Sequence, residues 1–243
     1  MNRNQASIIL AISVFLALSI SISAAPQANG KIAFTSNRDG NFEIYVMDPD
    51  GSNQVRITNN PGVDVSPTWS ADGRKIAFVS QKQDGSFGIF TMNGDGTDPT
   101  EVTSLNGRRL VEADSVLTRW RPLSWSPNGA RIAFNDYSDS SGSIDIFVVN
   151  ADGSGRTNLT PNHAHLDLFP TWSPDGSKIL FSRYDMYEGY FGTMLHTINP
   201  DGTNLTRLLN VFVFADGWNE DAADWSAAAN KIVYTVNRWD FVF

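Results

Sequence analysis

Three acidic residues stand at the same distance ahead of a tryptophan, which makes them the first candidates for chemistry. Asp64, Asp167 and Glu220 each lie five residues before a Trp-Ser pair. Carboxylates gathered around one opening can bind a partner, and a close pair can act as the acid and the nucleophile or base of a glycosidase. The simpler alternative is that each acid bonds only the loop backbone or a neighbouring basic residue.

The corresponding segment before the remaining Trp-Ser pair carries cations instead. It reads Thr118-Arg119-Trp120-Arg121. The sequence therefore predicts a mainly acidic ring with one basic sector. The candidate contact residues of this ring are Asp64, Arg119, Arg121, Asp167 and Glu220.

Two histidines close to one of these acids form the best candidate for a metal site. His163, His165 and Asp167 occupy alternate positions, so they share one face if the segment is extended. The alternative is an exposed polar loop edge. The chain has no Cys, which removes disulfides, thiolate metal sites and a cysteine nucleophile. We expect no metal and no other cofactor.

The charge balance argues against nucleic acid as a partner. Lys and Arg total 18 against 26 Asp and Glu, a formal net charge of -8. Affinity for a phosphate backbone comes from an excess of basic residues, which this chain lacks. Its 41% hydrophobic content is enough to build a buried core.

Residues 1–28 have the pattern of an export signal. Arg3 is the only charged residue there, Ala6 to Ile22 is apolar or Ser throughout, and the segment after it is small and polar. Cleavage is expected after Ala24 or Ala28. The alternative is an uncleaved anchor, but either reading places residues 29–243 in the periplasm or outside the cell, with no further membrane segment.

The elements that must position these residues come from an internal repeat of about 50 residues. Each unit has a short β-rich run, a second run about ten residues later that ends in an Asp/Asn-Gly turn, a third short strand and a Trp-Ser pair. The tryptophans of these pairs are Trp69, Trp125, Trp172 and Trp225. Four short strands per unit with turns between them predict the blades of a β-propeller.

The residues that follow each tryptophan predict a tight hairpin turn. In Ser173-Pro174-Asp175-Gly176, Pro presets φ, Asp accepts a backbone hydrogen bond and Gly permits positive φ. Asp72 and Asn128 occupy the position of Asp175 in two other units. We expect each Trp ring to lie between adjacent blades with its N–H on a neighbouring carbonyl.

Two stretches of the chain resemble the WD-like repeat of the TolB-type propeller family. Residues 170–183 read PTWSPDGSKILFSR and are followed by INPDG, and residues 31–51 read KIAFTSNRDGNFEIYVMDPDG. The resemblance covers residues 30–243 and implies an all-β propeller. The repeat spacing predicts about five four-stranded blades, incomplete or open relative to the six that are usual in the family. The α/β domain that precedes the propeller in the family is not expected here.

The resemblance also implies a function. It favours an exported, non-catalytic module that binds a protein or peptide in the cell envelope, with an envelope lipoprotein among the candidate partners. The sequence has no Gly-x-Ser-x-Gly nucleophile motif, which argues against a serine hydrolase. The rival hypothesis is a glycosidase-like propeller enzyme that uses the channel-mouth carboxylates.

Overall fold

The strands of the protein follow the predicted repeat. The computed structural model describes residues 30–106, 123–138, 143–161, 165–187, 190–208, 223–226 and 231–234. Sheet 1 contains β1 (Ile32–Ser36), β2 (Glu43–Met47) and β3 (Val55–Arg56). Sheet 2 contains β4 (Asp64–Trp69), β5 (Lys75–Gln81), β6 (Phe87–Asn93) and β7 (Thr100–Ser104).

The later sheets repeat this order. Sheet 3 contains β8 (Ser124–Trp125), β9 (Arg131–Tyr137), β10 (Ile144–Asn150) and β11 (Thr157–Asn158). Sheet 4 contains β12 (Leu166–Trp172), β13 (Ile179–Tyr187), β14 (Tyr190–Ile198) and β15 (Thr206–Arg207). Sheet 5 contains β16 (Ala223–Ser226) and β17 (Lys231–Tyr234). Neighbouring strands within each sheet are antiparallel, and one parallel bridge, Ile144 to Leu166, links sheets 3 and 4.

The strands with the Trp-Ser pairs line one side of this arrangement. We call β4, β8, β12 and β16 the inner strands, because β4 contacts β8, β8 contacts β12 and β12 contacts β16. The short strands β3, β11 and β15 lie at the other edge of their sheets. This arrangement of radial sheets is the predicted all-β propeller, and the described residues form no closed barrel.

Apolar side chains fill every interface between consecutive sheets. Ala77 and Ile89 of sheet 2 pack with Trp125, Phe134 and Phe147 of sheet 3, and all five are nearly or fully buried. Both faces of a central strand are buried by this packing, which explains why the second run of each repeat has no polar alternation. Rigidity therefore comes from contacts between sheets.

One pair of rings recurs in the first four sheets and follows from the repeat. The centroids of the paired rings lie 5.6 to 5.9 Å apart. The pairs are Phe34 with Tyr45, Phe78 with Phe90, Phe134 with Phe147, and Phe181 with His196. His196 thus replaces an aromatic core residue, and its burial lowers the pKa of the imidazole.

No membrane-spanning helix occurs in the part of the chain described above, since none has the length and hydropathy that a bilayer crossing needs. The predicted export signal, residues 1–28, lies outside the described ranges, so its boundary with the propeller at residue 29 stays a prediction.

Candidate functional site

The structure places two of the predicted acids at the same point of two inner strands. Asp64 is the first residue of β4 and Asp167 is the second residue of β12, and each is followed five residues later by its tryptophan. Both carboxylates are 0% exposed. We call the start of the inner strands the inner-strand entrance, and in β4 and β12 it holds a buried carboxylate.

Asp167 has a cationic partner within its own sheet. Nε and Nη2 of Arg183 donate to its two carboxylate oxygens, each at 2.7 Å. The two residues face each other across β12 and β13, and the guanidinium also lies 5.6 Å from the ring centre of Phe181. A two-pronged contact of this kind satisfies both charges despite their burial.

Asp64 has amide and hydroxyl partners instead of a cation. Nδ2 of Asn60 donates to its two oxygens at 2.8 and 2.7 Å, and the residue opposite on β5 is Ser80, where sheet 4 has Arg183. Burial raises the pKa of Asp64, and the nearby carboxylate of Glu43 adds to the rise. The two equivalent acids therefore differ in charge compensation.

Glu43 is a buried acid that the sequence reasoning missed. It begins β2 and is 0% exposed. Arg56 lies 2.6 Å from one of its oxygens and Thr58 donates to the other at 2.6 Å. The sequence signal that could have identified it is an acid at the equivalent repeat position, since Asp145 begins the second run of another unit. In the structure Asp145 accepts a hydrogen bond from Asn158 at 2.7 Å.

Both entrance strands contain the same backbone irregularity just after the acid. Ser66 has φ of 57° and Phe169 has φ of 59°. The pairing register shifts there, between Val65 and Thr68 in β4 and between Leu168 and Thr171 in β12. A left-handed conformation is uncommon for such residues, and a β-bulge re-aims the side chains around it. Ser66 and Phe169 are half-buried, so both stay accessible at the entrance.

The other end of β4, β8 and β12 is closed by the predicted turn. Oγ of Ser173 donates to Asp175 at 2.6 Å and accepts from the N–H of Lys178 at 2.9 Å. The same bonds join Ser70 to Asp72 and Ser126 to Asn128. The hydrogen bond from Ser173, followed by those from Ser177, lowers the pKa of Asp175 to about 2. These contacts account for the Trp-Ser spacing through turn formation.

The four tryptophans differ in their polar contacts. Nε1 of Trp125 donates to the backbone carbonyl of Thr68 on the preceding inner strand at 3.2 Å, which is the expected contact. Nε1 of Trp69, Trp172 and Trp225 is buried and has no acceptor among the described residues. Ring packing between sheets is common to the repeat, whereas the N–H contact is specific to one position.

The remaining candidates are only partly covered by the structure. Arg119, Arg121, Glu220 and His163 lie outside the described residues. His165 is half-buried, and the described ranges hold no group of three His, Asp or Glu side chains arranged for a metal ion. The binding role of the five contact candidates and the metal role of the two histidines stay predictions.

Comparisons with known proteins agree with this architecture. The family model described as "TolB beta propeller domain" matches residues 10–118. A "Protein TolB homolog" of Chlorobium chlorochromatii is 42% identical over 137 residues, which are 56% of this chain and 28% of that protein. A "Tol-Pal system protein TolB" of Anaeromyxobacter dehalogenans is 34% identical over 153 residues, 58% of this chain and 29% of that protein. The chain thus spans less than a third of these relatives.

Solved structures show the same fold. The putative TolB of Agrobacterium tumefaciens superposes with a TM-score of 0.64 at 24% identity, over 85% of this chain and 71% of that one. TolB of Acinetobacter baumannii gives 0.63 at 20% identity, over 89% and 49%. At these identities the similarity establishes the fold alone.

Proposed function

Because this chain carries the β-propeller repeat of the TolB family, we propose that it is an exported, non-catalytic module that binds a protein or peptide at the inner-strand entrance. The observation that carries the proposal is the repeated bulge. Ser66 and Phe169 hold an unfavourable backbone conformation at equivalent places and remain accessible. Strain of this kind persists where it aims groups at a ligand.

The buried acids fit a positioning role at this entrance. Asp167 is held by Arg183, and Asp64 receives Asn60 from the link that leads into β4. The N–H of Asp64 also donates to the carbonyl of Phe42, the residue before β2 of the neighbouring sheet, at 2.8 Å. Asp64 and Asp167 would therefore fix the strand ends, while Arg119, Arg121 and Glu220 remain candidates for direct contact with the partner.

A glycosidase is less well supported by the same geometry. Hydrolysis of a glycosidic bond needs two carboxyl groups that reach the substrate from either side. Asp64 and Asp167 are both 0% exposed, and their oxygens are occupied by Asn60 and Arg183. Binding at the accessible bulges requires no such exposure, so we favour the binding module.

Photo-crosslinking tests the location of the binding site. Phe169 is replaced by the photoreactive residue p-benzoylphenylalanine, which keeps an aromatic ring at the bulge. Leu205 is replaced in the same way as a control, because it is 46% exposed and precedes the outer strand β15. Irradiation of the envelope fraction is expected to give a discrete crosslinked protein from position 169 only. Equal products from both positions, or none from position 169, would contradict the proposal.

The place of action is proposed from the residue 1–28 pattern and from the Tol-Pal relatives, and it predicts a processed protein. Full-length chain expressed in a Gram-negative host is expected in the osmotic-shock fraction, with a mass that corresponds to cleavage after Ala24 or Ala28. Intact mass measurement decides the outcome. An unprocessed chain in the membrane fraction would support an anchor, and an unprocessed chain in the cytoplasm would refute export.

An envelope lipoprotein remains the first partner to test.

A further inference from the structure

One apolar position of the repeat is buried in two sheets and exposed in a third. It lies three residues before the paired ring of the second long strand, and in the first three sheets it holds Phe42, Phe87 and Ile144. Phe87 is 7% exposed and Ile144 is 5% exposed, whereas Phe42 is 45% exposed. Sheet 1 therefore presents to solvent an aromatic ring of a type that the next two sheets cover.

A leucine accompanies this position in both sheets where it is buried. In sheet 2, the N–H of Leu105 donates to the carbonyl of Phe87 at 2.9 Å, and the two side chains belong to one buried cluster. In sheet 3, Ile144 forms the parallel bridge with Leu166, the first residue of β12. The segment that passes this position thus supplies a leucine each time.

Sheet 1 has polar residues in place of these leucines. The carbonyl of Phe42 accepts from the N–H of Asp64 at 2.8 Å, and the side chain of Asp64 is 0% exposed and held by Asn60. Asn60 itself occupies the repeat position of Leu105. The backbone contact of sheet 2 is therefore kept in sheet 1, but no leucine comes with it.

The link beside Phe42 is fixed by hydrogen bonds. Nδ2 of Asn41 donates to the carbonyls of Asn60 and Gly62, and the N–H of Gly62 donates to Oδ1 of Asn60 at 2.6 Å. Pro61, between these two residues, is exposed. Phe42 and Pro61 are thus neighbouring apolar groups on a preorganised backbone, which lowers the entropy lost when a partner binds.

The accessible charge next to Phe42 is a cation. Arg56 bonds Glu43, the residue after Phe42, and its side chain is 25% exposed while that of Glu43 is 0% exposed. Nε and Nη2 of Arg56 bond within sheet 1 and its link, to Thr58, Glu43 and Asn59. Nη1 has no acceptor among the residues that the structure describes, so it is free to donate to a carboxylate of a bound segment.

We propose that Phe42 and Pro61 bind a leucine side chain of the partner, and that Arg56 binds an acidic residue next to that leucine. The inference rests on the proposed function, because Phe42 bonds Asp64 at the start of β4 and so adjoins the inner-strand entrance. It adds the chemistry of the partner's segment. A second copy of the chain is disfavoured as the occupant, since two molecules with a net charge of -8 repel each other.

Fluorine NMR tests the contact with a defined probe. Phe42 is replaced by 4-fluorophenylalanine in the full-length exported protein, which is titrated with the capped peptide Ser-Asp-Leu-Asp-Ser. A saturable change of the fluorine resonance is expected, and alanine in place of the leucine is expected to weaken binding about tenfold. The same label at Phe87, which is buried, is the matched control and is expected to stay unchanged.

Three results of this titration would overturn the inference. They are no saturable change at position 42, equal binding of the alanine peptide, and an equal change at position 87. A resonance at position 42 that moves with protein concentration before peptide is added would also overturn it, because a second copy would then cover the ring.

A variant separates this inference from the proposed function. Phe42→Ala is expected to lower the yield of the crosslink from position 169 about tenfold, and Val55→Ala is expected to leave it unchanged, because Val55 is 54% exposed on the outer strand β3. An undiminished crosslink in Phe42→Ala would keep the binding module and overturn the role of Phe42. A saturable, leucine-dependent change at position 42 without any crosslink from position 169 would support the leucine site and contradict the proposed entrance.

Discussion

Asp167→Asn is expected to lower the free energy of unfolding by about 3 to 5 kcal/mol, because it leaves the buried guanidinium of Arg183 without its charge partner. The side chain of Arg183 is 9% exposed, and both of its hydrogen bonds through Nε and Nη2 are to the carboxylate of Asp167. Asp64→Asn is expected to leave that free energy unchanged or to raise it. Asp64 accepts hydrogen bonds from Asn60 and not from a cation, so the substitution leaves no buried positive charge unpaired. Urea unfolding at pH 7 measures both changes.

The pH dependence distinguishes the two acids further. The pKa of Asp64 is raised in the folded state, so the folded protein binds this proton more tightly than the unfolded chain does. Its effect on stability is therefore most favourable at low pH and is lost as the pH rises through the folded-state pKa. The wild-type free energy of unfolding, measured against Asp64→Asn, is expected to fall as the pH rises above about 4, the ordinary pKa of an Asp side chain.

A double variant controls for the loss of packing. Arg183→Met with Asp167→Asn removes both charges and keeps an unbranched side chain near Phe181. Stability is expected to recover most of the loss caused by Asp167→Asn alone, because no buried charge remains unpaired. If the double variant were as unstable as the single one, the loss would have to come from the shape of the entrance and not from charge. The contrast with Asp64 would then lose its basis.

Local sequence signals predicted the repeat well because they act over a few residues. The Ser-x-Asp-Gly pattern encodes its own turn: Ser70 bonds Asp72, and Gly73 has φ of 67°. The Asp/Asn-Gly turns and the Trp-Ser pairs then mark where the second run and the inner strand of a repeat end. These features determined the architecture before any side-chain contact was known.

The candidate site was less predictable because its contacts depend on register between strands. Arg183 lies 16 residues from Asp167, and only the pairing of β12 with β13 brings them together. The bulges carry no sequence signature either, since Ser66 and Phe169 are not residue types that favour positive φ. The five-residue spacing to the tryptophan identified Asp64 and Asp167 as equivalent positions. Their different hydrogen-bond partners, which only the folded structure shows, make the two carboxylates differ in charge compensation.

The glycine of the turn that precedes the last strand in each of sheets 1 to 4 predicts a second large effect on stability. Gly96→Ala is expected to lower the free energy of unfolding by about 1 to 3 kcal/mol more than Gly51→Ala. The two glycines have φ of 88° and 85°, so the backbone strain that an L side chain introduces is about the same at both positions. A Cβ at position 96 would lie 2.5 Å from the carbonyl oxygen of Ile57, whereas nothing lies within 4 Å at position 51.

The series extends to the next two interfaces and ranks them by distance. A Cβ at Gly153 would lie 2.7 Å from the carbonyl oxygen of Val102, and one at Gly202 would lie 3.7 Å from that of Leu159. The loss of stability is therefore expected to be large for Gly96→Ala and Gly153→Ala and close to the Gly51 value for Gly202→Ala. Equal losses at all four positions would show that only φ matters. The predicted ranking instead requires that the turns at Gly96 and Gly153 pack closely against the backbone of Ile57, just after β3, and of Val102 in β7, so that a Cβ has no room there.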